Sequence, residues 1–85
     1  MQIRIFTRNN CSYCFAAKRL LVKRGIDYEE ISLSGDIAAE EEMRGLTGQT
    51  AVPQILINGK SVGGFTELAG MDMDGKLQKL STNSS

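Results

Sequence analysis

Two side chains in this chain can do redox chemistry together. They are Cys11 and Cys14, set three apart in the run Arg8-Asn9-Asn10-Cys11-Ser12-Tyr13-Cys14. A thiolate attacks a disulfide sulfur through a mixed-disulfide intermediate, so a neighbouring pair of thiols can exchange with a disulfide and close one of its own. The chain holds 2 cysteines and no histidine. The missing histidine removes Cys–His hydrolases and His-containing zinc sites, and two cysteines cannot close a four-ligand zinc site within one chain. In a reducing cytosol a lone Cys-x-x-Cys is redox-active more often than a permanent staple. As a staple it would close a tiny loop and constrain the unfolded chain little. The competing reading is an inert pair in the core or at the surface, and the position of the pair decides between them.

That position is a strand-to-helix junction. Gln2 to Thr7 reads as a strand, with Ile3 and Ile5 alternating against Gln2 and Arg4 and Phe6 extending the apolar character. Arg8, Asn9 and Asn10 form a polar turn. A helix is expected from about Ser12 to Arg24, with Cys14, Ala17 and Leu21 on one face and Lys18, Arg19, Lys23 and Arg24 toward its C-terminal half, where they suit the dipole. Cys11 therefore stands where backbone N–H groups lack helical partners and the dipole is positive, which favours a thiolate. Cysteines in such places have pKa values lowered to roughly 3.5–7.5. Arg8 adds favourable charge. Cys14 lies one turn further in, within reach of Cys11 but less exposed. Cys11 is expected to attack and Cys14 to resolve.

The remaining elements must hold this junction. A second strand is expected over Asp27 to Leu33, with Tyr28 and Ile31 as packing residues. A second helix runs to about Leu46, capped by Ser34 or Asp36 and carrying a Glu40–Arg44 pair at i,i+4 spacing. A third strand over Pro53 to Ile57 and a short fourth over Ser61 to Gly63 flank Asn58-Gly59, a strong hairpin signal. A third helix is expected through about Met71, capped by Thr66, and Lys76 to Leu80 adds a last helical turn. Residues 1–80 make one domain, and 81–85 read as a frayed polar tail. The first strand–helix–strand is long enough for a parallel crossover.

Two further segments carry candidate binding groups. Ala51-Val52-Pro53 reads by itself as the start of an edge strand, but as a loop it would present the backbone of Val52 to an extended peptide. Gly63-Gly64-Phe65-Thr66-Glu67 reads by itself as a hairpin exit and a capped helix. It also fits a free amino-acid end: N–H groups near Thr66 suit a carboxylate, the Glu67 carboxylate suits an ammonium, and Gly63 and Gly64 admit a ligand backbone closely.

Bulk numbers set the frame. The chain has 85 residues, 41% hydrophobic and 24% charged, with 10 basic and 10 acidic side chains. That is an ordinary globular composition for one domain. Without net charge or a basic run, a nucleic-acid role has little electrostatic support. No apolar stretch approaches the roughly 20 residues of a membrane span, and Met1 to Phe6 lacks a signal-peptide pattern. A cytoplasmic protein is expected.

The motifs in order resemble the glutaredoxins, and most of all the short bacterial-type dithiol members. The resemblance rests on Cys11-Ser12-Tyr13-Cys14 after Phe6-Thr7-Arg8, on Thr47-Gly48-Gln49-Thr50-Ala51-Val52-Pro53-Gln54-Ile55, on Ile57-Asn58-Gly59-Lys60 and on Gly63-Gly64-Phe65-Thr66-Glu67-Leu68. It implies an α/β, thioredoxin-like fold: a mixed four-stranded sheet flanked by helices in the order β-α-β-α-β-β-α, with a cis proline at Pro53 beside the active-site cysteine. It implies glutathione as co-substrate and disulfide-containing or glutathionylated proteins as partners. Cys11 would form the mixed disulfide, Tyr13 would lie against glutathione, and Val52 and Pro53 would supply the loop. Gly64, Thr66 and Glu67 would hold the γ-glutamyl end, and Arg8 and Gln49 would meet the glycine carboxylate. Three positions depart from the family pattern: Ser12 replaces the proline between the cysteines, Ala51 replaces threonine, and Glu67 replaces aspartate.

The leading expectation is a glutathione-dependent thiol–disulfide oxidoreductase working as a monomer. The alternative is a [2Fe–2S] cluster shared by a dimer, with Cys11 and a glutathione from each side as ligands, which Ser12 favours over the proline form. A third reading is a substrate of a thioredoxin-type reductase that ignores glutathione, and the Thr66–Glu67 site argues against it.

Overall fold

The computed structural model describes residues 2–82. The first strand, β1 (Ile3–Thr7), leads into helix α1 (Ser12–Lys23), which returns to β2 (Glu29–Ser32) parallel to β1. Helix α2 (Ile37–Thr47) leads to the hairpin of β3 (Gln54–Ile57) and β4 (Lys60–Gly63), and helices α3 (Phe65–Met73) and α4 (Lys76–Thr82) follow. The sheet has the order β2-β1-β3-β4, with β1/β3 and β3/β4 antiparallel. This is the mixed, helix-flanked, thioredoxin-like sheet expected from the sequence, with α4 a full element. The backbone of 81 and 82 belongs to α4; the rest of the expected polar tail, 83–85, lies outside the described residues.

The two central strands are buried on both faces. Ile3, Ile5, Ile55 and Ile57 point to one side, where Ala17 and Leu21 of α1, Leu68 of α3 and Leu77 of α4 close over them. Phe6 and Leu56 point to the other side, against Ala39 and Met43 of α2 and Leu33. Each fully buried Ile, Leu, Phe or Met side chain here contributes about 1.5–3 kcal/mol relative to exposure. The alternation of β1 and the helical spacing of Cys14, Ala17 and Leu21 are thus the two sides of one interface, and it fixes the start of α1 against the end of β1.

The Asn58-Gly59 turn has both residues at positive φ, 53° and 82°, as a tight hairpin with the sheet's twist requires. Asp36, not Ser34, caps α2, its side chain accepting the Ala39 N–H at 3.0 Å. Strand β2 is shorter than expected: Tyr28 precedes it and Leu33 follows it, and both still pack against the core.

Candidate active site

Cys11 is the N-cap residue of α1. Its backbone is extended, its carbonyl accepts the Phe15 N–H at 3.1 Å, and its Sγ accepts the Cys14 N–H, also at 3.1 Å. The sulfur thus takes the place of a capping oxygen, where unpaired N–H groups and the helix dipole favour negative charge. Cys11 and Cys14 are joined in a disulfide, with Cα atoms 5.2 Å apart. Cys14 is 2% exposed, whereas Cys11 is half-buried. Solvent-side attack on the bridge is therefore directed to the Cys11 sulfur.

On one flank of the bridge lies a groove of about 230 Å³, lined by Tyr13, the Ala51–Gln54 segment and the start of α3 from Gly64 to Glu67. Tyr13 is 64% exposed, and its ring centroid lies 5.9 Å from that of Phe65. The Val52–Pro53 peptide is cis. The loop is tethered from just after β1 and from β3: Arg8 donates to the Thr50 carbonyl at 3.2 Å, and the Gln54 amide donates to the Ala51 carbonyl at 2.9 Å. Beyond these tethers, the Val52 backbone makes no hydrogen bond among the described residues.

The structure brings Tyr13, Val52, Pro53, Gly64, Thr66 and Glu67 into this groove, and it leaves Arg8 and Gln49 out of its lining. Thr66 does not cap α3. The helix starts two residues earlier, with Gly64 as N-cap, because the Glu67 carboxylate reaches back and accepts the Gly64 N–H at 2.7 Å. One Glu67 oxygen thus serves its own helix. Arg8 pairs with Glu40 of α2, which replaces the local Glu40–Arg44 pair expected from spacing as the main partner. This contact raises the Arg8 guanidinium pKa and lowers that of the Glu40 carboxyl. Arg8 is therefore a neutralised tether between β1, α2 and the proline loop rather than a bare charge beside Cys11.

On the other flank lies a larger cavity of about 890 Å³, bordered by both cysteines, Phe15, Lys18 and Glu30. Here the Glu30 carboxylate accepts the Thr7 hydroxyl at 2.7 Å and the Lys18 ammonium at 3.0 Å. Its pKa is lowered, first by the Thr7 hydrogen bond, against an opposing desolvation, and then by Lys18. Sequence reasoning missed this cluster, and it missed Gln54 and Phe65 as groove residues. Gln54 left a signal: a polar residue inside the otherwise apolar run Gln54-Ile55-Leu56-Ile57.

Among the described residues no group of three or more Cys, His, Asp or Glu gathers. No helix among the described residues is long and apolar enough to cross a membrane.

A glutaredoxin family model matches residues 3–62, from β1 into β4, so the match ends just before the glycine-led start of α3. Among curated relatives, glutaredoxin 3 of Escherichia coli strain K12 is 38% identical over 78 residues, covering 92% of this chain and 94% of its own length. Among solved structures, the solution structure of the Brucella melitensis glutaredoxin superposes with a TM-score of 0.82 at 34% identity, covering 100% of this chain and 92% of that one. A buckwheat glutaredoxin–glutathione complex superposes with a TM-score of 0.82 at 31% identity, covering 94% of this chain and 76% of that one. Relatives alike in sequence over almost the whole length, on the same fold that here sets a Cys-x-x-Cys disulfide at a helix start, leave one assignment: the chain is a thiol–disulfide oxidoreductase and belongs to the glutaredoxin family.

Proposed function

We propose that this enzyme reduces protein disulfides and protein–glutathione mixed disulfides with glutathione as the electron donor. The observation that carries this reading is the groove beside Cys11, which joins an exposed Tyr13, the unengaged Val52 backbone and the start of α3. A γ-glutamyl tripeptide offers matching chemistry: a cysteine backbone for strand-like pairing with Val52, and an amino-acid end for Thr66 and Glu67. The buckwheat relative is a glutathione complex on the same fold. Glu67 would present to the ligand ammonium the oxygen that Gly64 does not use. Arg8 would reach the glycine carboxylate only by leaving Glu40, and Gln49 would approach from outside the groove.

Two routes follow. In the first, the Cys11 thiolate attacks the glutathione sulfur of a glutathionylated protein, and the protein thiolate leaves and takes up a proton. A glutathione thiolate then attacks the Cys11-bound glutathione, releasing glutathione disulfide and the Cys11 thiolate. In the second, Cys11 attacks a protein disulfide, and the Cys14 thiolate displaces the protein from Cys11. This closes the bridge seen in the structure, and two glutathiones reopen it in successive exchanges. The first route consumes one free glutathione for each protein thiol released, the second consumes two for each protein disulfide reduced, and both release glutathione disulfide. The enzyme would act as a monomer in the glutathione-rich cytoplasm.

A glutathione assay coupled to glutathione reductase tests the reading. Wild type should turn over a small glutathione mixed disulfide, Cys14→Ser should retain that activity while losing reduction of protein disulfides, and Cys11→Ser should fall to the uncatalysed rate. Full activity in Cys11→Ser would sink the assignment of the nucleophile. Turnover with thioredoxin reductase but not with glutathione would sink the assignment of the reductant.

A further inference from the structure

The glutathione groove accounts for one partner of the exchange. When glutathione occupies the Val52 side, the protein that shares the mixed disulfide must lie elsewhere around Cys11. The opposite flank has the room. The cavity beside the bridge continues along α1 into a second depression of about 570 Å³, and the two share Phe15 and Lys18.

The surface along this path is unusual in two ways. Phe15 is 58% exposed and Val22 67% exposed, on a helix whose inner face is already filled. Between and beside them stand Arg19 and Lys23, both exposed, and residues 15, 19, 22 and 23 share one stripe at helical spacing. Helix α1 carries no acidic residue. Glu30 of β2 neutralises Lys18 alone, while the Arg19 guanidinium rests over the Phe15 ring at 5.7 Å.

We propose that the Phe15–Arg19–Val22–Lys23 stripe is the docking surface for the protein partner, and that it favours an extended acidic segment with an apolar side chain near its reactive cysteine. The proposal rests on the glutathione reading for its division of flanks, and on α1 itself for the chemistry of the partner. Helical rise puts Arg19 about 12 Å and Lys23 about 18 Å along the axis from Cys11. An extended chain covers those distances in about four and five to six residues. Acidic residues at that separation from the cysteine would meet the two cations, and an apolar residue about two positions from the cysteine, on the same face of the extended segment, would cover Phe15, which lies about 6 Å along the axis.

The test uses the full-length enzyme and two glutathionylated peptides, one with Leu two residues from its cysteine and Glu at four and six, the other with Lys in place of Glu. Wild type should favour the acidic peptide in kcat/KM by roughly five-fold, the size expected of two exposed charge pairs. The variant Arg19→Glu/Lys23→Glu should reverse that order while leaving turnover of glutathionylated hydroxyethanethiol unchanged. Equal rates for the two peptides in wild type would overturn the proposal, as would a double variant that loses the small substrate as severely as the peptide. If the enzyme proves idle with glutathione, the reductant assignment fails separately. The same ranking is then read from stoichiometric reduction of the acidic and basic peptides, as disulfides, by enzyme pre-reduced with dithiothreitol, and no preference there overturns the docking surface itself.

Discussion

On the Val52 side of the disulfide the polar groups on offer are mostly main-chain ones, held in place by side chains that stand behind them: Arg8 on the Thr50 carbonyl, Gln54 on the Ala51 carbonyl, Glu67 on the Gly64 N–H. On the Lys18 side the polar groups are ionised side chains, with Thr7, Glu30 and Lys18 hydrogen-bonded in a line across β1, β2 and α1. The difference suits two kinds of ligand. A backbone-built groove suits one small molecule whose own backbone is constant. A side-chain surface can be varied residue by residue to suit partners that differ, at little cost to the fold. The contrast also ranks the two flanks by fragility, since a change to the backbone flank moves a loop and a helix start together.

The largest effect should come from Gly63→Ala. Gly63 has φ of 114°, and a Cβ there would lie 2.8 Å from both Cγ and Oε1 of Glu67. An L side chain in that conformation costs about 1–3 kcal/mol, and the added methyl also pushes the Glu67 carboxylate off the Gly64 N–H. A lower urea midpoint together with a raised KM for the glutathione mixed disulfide is expected. Gly64→Ala separates the two contributions. Its backbone is ordinary, but a Cβ would stand 3.2 Å from the Pro53 carbonyl, so it should spare stability relative to Gly63→Ala and still raise KM by crowding the loop. If Gly63→Ala matched wild type in both measurements, the backbone flank would be no more fragile than the other.

A smaller effect is expected on the side-chain flank. Thr7 is 2% exposed, and its hydroxyl is the leading cause of the lowered Glu30 pKa. Thr7→Val keeps the shape and removes the donor, at a cost of about 1–2 kcal/mol. The Glu30 carboxyl should then titrate closer to its ordinary range, which NMR detection of the side-chain carbons would show. An unchanged Glu30 titration would mean that Lys18, not Thr7, holds the carboxylate.

How far the sequence reveals this molecule follows the same division. Local periodicity exposes the strands, α1 and the asymmetry of the cysteines, because alternation in β1 and the spacing of Cys14, Ala17 and Leu21 each belong to a single element. Capping is legible only where one residue is suited to it. Asp36 competes with Ser34 in reading alone, and Thr66 outranks Gly64 until Glu67 is seen folding back onto the Gly64 N–H. Contacts between elements stay hidden. Arg8 and Glu40 lie 32 residues apart, so the i,i+4 rule assigns Glu40 to Arg44 instead. The Thr7–Glu30 contact depends on the parallel register that sets Ile5 beside Glu30, with Thr7 one pleat further along the same face.

The smallest effect is the response to acid, and it tests whether the two flanks differ in kind or only in degree. Glu30, on the side-chain flank, and Glu40, behind the backbone flank, both have folded-state pKa values below the ordinary carboxylate value. A depressed folded pKa contributes stability that is fully present above the unfolded value, about 4.3 for glutamate, and that is lost as pH falls through the folded value. Urea midpoints should therefore decline from about pH 5 downward, with little change between pH 6 and 8. The causes differ, however. For Glu30 the leading cause is a neutral hydroxyl, whereas every lowering cause at Glu40 comes from Arg8 or Arg44. Salt screens charge pairs at exposed sites and leaves a hydroxyl hydrogen bond largely untouched. Raising the ionic strength should thus remove most of the difference between Glu40→Gln and wild type in the acid curve, while the difference for Glu30→Gln persists. Equal salt sensitivity of the two variants would show that both flanks are held by charge, and that Thr7 contributes only geometry.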